Sequence, residues 1–330
     1  MKNEILALMV TLSMCSTGWA QTANFVDRTQ KKLNVAIFVF PGVQVIDFAG
    51  PLEVFAQAGT HAYTVGEKPD PLKTAAGLAI TPDFTFDHAP QPDVLVLPGG
   101  DSALKEMLNP VVMKWIVETA KQTPQILTVC SGAFLAAKGG LLDGQSATTF
   151  YGMLDDLQQL APSAKVVWDK KYVDSGKIVT TAGLSSGIEG SLYVVSKLLG
   201  MGRAQSVALN MEYNWNPDST YARAMLPDMN IPDELPQGLP KGSDLLSSSG
   251  DRNHWIITVR VPGDERAGVV LKNVNASLTK SGKWSEAASP GENSSKWGFT
   301  DRFGAKWQSV ISVAPGQEHN SVLTLKIDRV

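Results

Sequence analysis

The chain has 330 residues, 43% hydrophobic and 18% charged, enough for two domains with their own buried cores. A formal net charge of −3 excludes the basic excess of a nucleic-acid-binding surface, and no polybasic block marks a membrane tether. The histidines (His61, His88, His254, His319) are scattered without metal-ligand spacing, so the residues imply neither a metal nor another cofactor.

Residues 1–20 read as a secretory signal peptide: Lys2, then the apolar run Ile5 to Met14, then Gly18-Trp19-Ala20 as a small-x-small cleavage site. The run is too short for a stable membrane span. A lipid-modified Cys15 is the second reading, weakened by Met14 just before it. The chain is expected to be exported, periplasmic or secreted, with Cys130 as the only remaining thiol. A lone thiol in an oxidising compartment is either buried or reactive.

From Asn34 onward, apolar runs alternate with helical segments. NVAIFVF (34–40) and DVLVL (93–97) have the continuous hydrophobicity of parallel strands covered on both faces. Between them, a helix opens near Pro51 and ends at Gly59, and a short strand covers 62–66. One helix is expected over 102–121, then the strand ILTVC and its Ala/Leu-rich helix. Further strands are expected at SATTFYG, at 165–168 and at 177–182, with helices at 152–160, 188–200 and 202–213. This alternation predicts an α/β fold over 34–213, doubly wound around a mostly parallel sheet. In such sheets ligands bind beyond the carboxyl ends of the strands, where Asp47, Gly99-Gly100, Cys130 and Ser185-Ser186 all fall. Residues 214–250, with Pro217, Pro227, Pro232, Pro236 and Pro240, read as a linker or strap. Residues 251–330 read as a small all-β domain, a sandwich built from WIITVRV, GVVLKNVNASL, KWQSVISVA and SVLTLKIDRV. Its Trp255, Trp284, Trp297 and Trp307 serve either core packing or a carbohydrate-stacking face.

The chemistry concentrates at ILTVCSGAFLAAKGG (126–140), a strand, a tight turn and a helix with the thiol at the turn. A helix N-terminus favours thiolate, the attacking form; the alternative is a cysteine packed as a small hydrophobe. Asp47 has two readings as well, a site acid or a residue capping the helix ahead of Pro51.

The motifs VAIFVFPGVQVIDFAGPLEVF, PDVLVLPGG, VCSGAFLAAKGGLLDG, ATTFYGMLDDL and TTAGLSSGIEGSLYVV, in that order across roughly 34–212, resemble the ThiJ/PfpI family of the class I glutamine-amidotransferase-like superfamily. The first motif is especially similar to isonitrile-hydratase-like proteins and to the sensor domains of AraC-type regulators. The resemblance implies a flavodoxin-like sandwich and a homodimer. It places Cys130 as nucleophile, Asp47 as its acidic partner, and Gly99, Gly100 and Ser131 as backbone donors to an oxyanion-type pocket. Phe150, Tyr151 and Ser185 would line that pocket. Many relatives carry histidine where this chain has Phe150, so a Cys-His hydrolytic dyad and peptidase chemistry are not expected. AraC-type relatives also carry a helix-turn-helix domain for which 251–330 shows no pattern, so no DNA partner is expected.

Three functions compete. The first is an exported cysteine-dependent hydratase or lyase acting on a small electrophile, with Asp47 as acid and base. The second is a ligand-binding or sensing module that keeps the pocket without turnover. The third is an oxidative sensor cycling Cys130 through sulfenic acid.

Overall fold

A computed structural model describes residues 32–218, 222–232, 238–263, 267–288, 293–316 and 320–330. The signal-peptide expectation falls on residues 1–20, outside the described residues. In chain order the first half runs β1 (Asn34–Phe38), α1 (Val45–Gln57), β2 (His61–Gly66), a side hairpin of β3 (Leu72–Lys73) and β4 (Ala79–Ile80), β5 (Phe84–Thr85), β6 (Val94–Leu97), α2 (Ala103–Glu106), α3 (Pro110–Gln122), β7 (Gln125–Val129) and α4 (Gly132–Lys138). A small parallel pair, β8 (Ser146–Ala147) and β9 (Lys165–Val166), flanks α5 (Leu154–Leu160). Then come β10 (Tyr172–Asp174), β11 (Ile178–Thr181), α6 (Ser185–Leu199) and α7 (Met201–Asn210).

Seven strands form one sheet in the order β10-β11-β7-β6-β1-β2-β5, parallel throughout except β10. The central strands β1, β6, β7 and β11 are buried almost end to end because helices cover both faces, α1 and α6 on one and α3 and α4 on the other. This is the flavodoxin-like doubly wound sandwich. From β1 the chain winds outward to β2, then returns to place β6, β7 and β11 on the other side, so the strand order reverses between β1 and β6. A crevice opens at such a switch point, beyond the carboxyl ends of the strands. Here its floor is tied by a bridge between Val43 and Gly100.

Some elements differ from the sequence expectation. The single helix over 102–121 is two helices: Asn109 accepts from Val111 N–H at 3.0 Å and caps α3, whose first residue is Pro110. SATTFYG is a strand only at its first two residues, because Thr148 to Tyr151 turn away toward the strand ends of the main sheet.

The C-terminal part has six antiparallel strands: β12 (Asp244–Gly250), β13 (His254–Pro262), β14 (Ser285–Ala288), β15 (Ser294–Thr300), β16 (Lys306–Pro315) and β17 (Asn320–Arg329). Their order is β12-β13-β17-β16-β15-β14. The sheet is as expected, but two details are corrected. The segment GVVLKNVNASL is not a strand; it lies in α8 (Ala267–Ser281), whose buried Val270, Leu271, Val274 and Leu278 form one helical stripe against the sheet. One sheet covered by a helix therefore replaces the expected sandwich. The strap also ends before 250, since residues 244–250 pair with β13. Trp255, Trp284, Trp297 and Trp307 are all buried in this second core, so these four rings are core packing rather than a stacking face. The strap joins the two cores, with Ala224 in the first and Leu226 and Ile231 against the second. Among the described residues no helix is long and apolar enough to cross a membrane.

Candidate functional site

Beyond β7 the chain must reverse within one residue to start α4. Cys130 makes that reversal at φ 56°, a left-handed conformation costly for a residue with a Cβ. The surroundings hold it there: its N–H donates to Ala182 C=O at 3.3 Å, and its own C=O accepts the Thr149 hydroxyl at 2.7 Å. Gly132 makes the elbow sterically feasible, since a Cβ there would meet the Leu97 carbonyl oxygen at 1.9 Å. The sulfur is thus presented at the rim between β6 and β11, half-buried and in no disulfide.

Asp47 comes from the first turn of α1 and is wholly buried. It does not cap the helix: Gln44 occupies the cap, and the Asp47 carboxyl turns across the crevice instead. Its Oδ1 accepts from the Leu184 N–H at 3.2 Å. Leu184 also has a left-handed backbone (φ 57°), which aims that N–H at the acid. Burial pushes the Asp47 carboxyl up from 3.8 to about 6, against the opposing pull of the Leu184 N–H, the Cys130 thiol and the Gly99 N–H. Its Oδ2 is buried without a hydrogen-bond partner, so the thiol acts on the carboxyl without forming a well-aligned bond to that oxygen.

The thiol behaves differently from the sequence expectation of a stabilised thiolate. Burial, and next the Asp47 charge, push it up from 9.0 to about 12, outweighing the Ser131 N–H that favours the anion. The helix behind it has only seven residues, a weak dipole against these terms. Near neutral pH the proton therefore sits on sulfur and the neighbouring carboxyl is mostly ionised.

The three expected backbone donors all lie here, and that of Gly100 is already engaged. The Gly99 N–H faces Asp47, and the Ser131 N–H faces the sulfur. The Gly100 N–H donates to the Ser131 hydroxyl at 3.1 Å. An oxyanion taking the Gly100 donor would have to displace that hydroxyl. Gly99 admits no side chain, because a Cβ would lie 2.6 Å from Ser131 Oγ and 2.9 Å from Cys130 Cβ. Phe150 is brought to the thiol through Gly183, where an added Cβ would meet the Phe150 ring at 2.6 Å and the Cys130 sulfur at 3.3 Å. Tyr151 packs on Phe150 with ring centroids 4.3 Å apart. Ser185 is exposed at the first turn of α6, beside Leu184 and without a contact to the thiol. Sequence reasoning missed Thr149, Gly183 and Leu184. ATT and AGL offered only a small-residue turn pattern, and nothing in a leucine announces a positive φ.

Comparison with known proteins places this geometry among relatives. The sequence profile of the DJ-1/PfpI family matches residues 33–197. Isonitrile hydratase of Pseudomonas putida is 32% identical over 182 residues, covering 55% of this chain and 78% of that protein. The HTH-type transcriptional regulator CdhR of Pseudomonas aeruginosa is 23% identical over 168 residues, covering 49% of each. Among solved structures, a ThiJ/PfpI family protein from Pseudomonas syringae superposes with TM-score 0.53 at 30% identity, covering 57% of this chain and 78% of that one.

Proposed function

The chain belongs to the DJ-1/PfpI family, and from that premise we propose that it is a cysteine-dependent hydratase acting on a small electrophile of the isonitrile type. The observation that carries this reading is the pairing of a protonated Cys130 with a buried Asp47 whose pKa is about 6. An acid of that strength is close to the working pH and serves as base in one step and acid in the next.

In the proposed reaction the ionised Asp47 takes the thiol proton as sulfur bonds to the electrophilic carbon. The carboxylic acid then returns that proton to the adduct, forming a thioimidate. Water adds to the same carbon and gives one proton to nitrogen; the new hydroxyl then collapses to the formyl carbonyl as the carbon–sulfur bond breaks, and its proton reaches sulfur by way of Asp47. The net change is R–N≡C plus H2O to R–NH–CHO, with no oxidant or reductant. Phe150 supports hydratase over hydrolytic dyad chemistry, because a phenyl ring neither accepts the thiol proton nor protonates an amine leaving group.

The test is conversion of cyclohexyl isocyanide to its formamide, with turnover by the wild type and none by Cys130→Ala or Asp47→Asn. A second reading, a ligand-binding or sensing module, draws support from the engaged Gly100 N–H and from regulators among the relatives. It requires ligand affinity that survives Cys130→Ser and no turnover by the wild type. We also propose that the protein is exported, on the strength of residues 1–20.

A further inference from the structure

Side chains connect the C-terminal part to the surroundings of the thiol. Arg223, in the strap, forms a two-pronged ion pair with Asp228, both nitrogen–oxygen distances being 2.7 Å. That fork fixes the guanidinium plane. One aromatic neighbour of the guanidinium is Tyr151, with the ring centroid 5.3 Å from Cζ. The other is Trp255 of β13, 5.7 Å away and buried in the second core. Trp255 is itself pinned, donating through Nε1 to Ser248 Oγ at 2.8 Å. On the pocket side, Tyr151 packs on Phe150, and Phe150 and the Cys130 sulfur both border Gly183, which supplies no side chain of its own.

We propose that Arg223 is a positioning residue: held by Asp228 between Trp255 and Tyr151, it fixes the Phe150–Tyr151 pair as a wall of the thiol pocket, so that the C-terminal domain sets how wide an electrophile reaches Cys130. The proposal rests on the reading of Cys130 as the reacting group, though it does not require turnover. Its physical content is simple. Phe150 and Tyr151 stand at the start of a short 3-10 turn at 151–153, with no side-chain cap to hold them. The segment just before them is anchored, Thr148 N–H to Thr180 Oγ1 at 2.8 Å and the Thr149 hydroxyl to Cys130 C=O. The two rings therefore project from a fixed base and need lateral support, which a cation held over the Tyr151 face provides. A second contact between the two parts lies along the same side: Arg302 pairs with Asp155 at 3.0 Å and stacks 4.2 Å from the Trp168 ring. Arg302 lines one cavity with Tyr151, so Arg302→Ala opens the same side of the molecule while leaving in place the cation over the Tyr151 ring.

The experiment measures second-order alkylation rates at Cys130 for a narrow reagent, iodoacetamide, and a broad one, N-phenylmaleimide, read on the Cys130 peptide by mass spectrometry. Losing a cation–π support should raise the broad-to-narrow rate ratio about three- to five-fold in Arg223→Ala and in Tyr151→Leu. Arg223→Lys, which keeps the charge but loses the fork, should fall between these and the wild type, and Arg302→Ala should leave the ratio unchanged. If Arg223→Ala does not fold, Tyr151→Leu and Arg223→Lys carry the test. A ratio that stays level or falls in the Arg223 and Tyr151 variants overturns the proposal, as does an equal rise in Arg302→Ala, which would mean general loosening. Isocyanide turnover by the wild type is measured alongside. A shifted ratio without turnover would remove the hydratase reading and leave this one standing.

Discussion

Asp47→Asn should stabilise the protein while removing its chemistry. A fully buried carboxyl whose pKa rises from 3.8 to about 6 on folding binds its proton more tightly in the native state than in the unfolded chain. Below pH 3.8 both states are protonated and no penalty exists. As the pH rises through that value the unfolded chain ionises first, and the folded state falls behind until the pH passes about 6. Above that point the accumulated cost is constant, and the gap between the two pKa values converts to about 3 kcal/mol. Asparagine never ionises, and its amide oxygen still accepts the Leu184 N–H. Its NH2 group needs partners in a buried setting, so the net gain at pH 8 should be about 1–3 kcal/mol rather than the full amount. Urea unfolding of both proteins from pH 4 to pH 8 isolates the effect, because every other titrating group is common to the two. The difference should be small at pH 4, grow through pH 5–6 and level off by pH 7–8. A difference that is flat across the range, or that favours the aspartate as the pH rises, would refute the argument that burial controls this carboxyl.

Other expectations bear on neighbouring links of the account. Gly132→Ala should cost about 3 kcal/mol or more, or yield no soluble protein, since the added methyl collides with the Leu97 carbonyl; an unfolding midpoint close to wild type would show that the elbow has more room. Phe150→His places an imidazole in the aromatic wall beside the sulfur and should speed alkylation at pH 7 by lowering the thiol pKa; stopped-flow rates unchanged from wild type would mean that position 150 does not communicate with the thiol. If residues 1–20 are a signal, N-terminal sequencing of protein recovered from the periplasm or medium of an expressing bacterium should begin near Gln21; recovery only from the cytosol, with Met1 or Lys2 leading, would exclude export.

The architecture of the first half was legible because each central strand is a continuous apolar run bounded by Gly or Pro, as burial on both faces requires. The convergence of positions 47, 99, 100 and 130 followed from that alone, since all lie just past strands or in the crossover behind one; Ser185-Ser186, placed on the same rim by the same rule, instead open α6 with Ser185 exposed. The break at Asn109-Pro110 was also written in the sequence, as a cap residue ahead of an N1 proline, but the amphipathic pattern on both sides masked it. The helix Ala267–Ser281 was misread because Val269, Val270 and Val274 favour strands locally, while the buried stripe of Val270, Leu271, Val274 and Leu278 follows the helical period. What no sequence pattern contained was the state of the site. The thiol stays protonated because burial and a carboxylate outweigh a short helix, a balance set by tertiary packing. The contact of Arg223 with Tyr151 of the first core and Trp255 of the second is likewise invisible until the strap is in place.

The central claim is that Cys130 and Asp47 form one coupled pair, and thiolate absorbance near 240 nm, followed against pH in the wild type and in Asp47→Asn with the tyrosinate signal of the matching Cys130→Ser protein subtracted, tests it most directly. With the carboxylate present the thiol should titrate near pH 12, and with asparagine in its place clearly lower, though still above 9.0 because burial remains. Identical titration curves for the two proteins would contradict the coupling and with it the proposed chemistry.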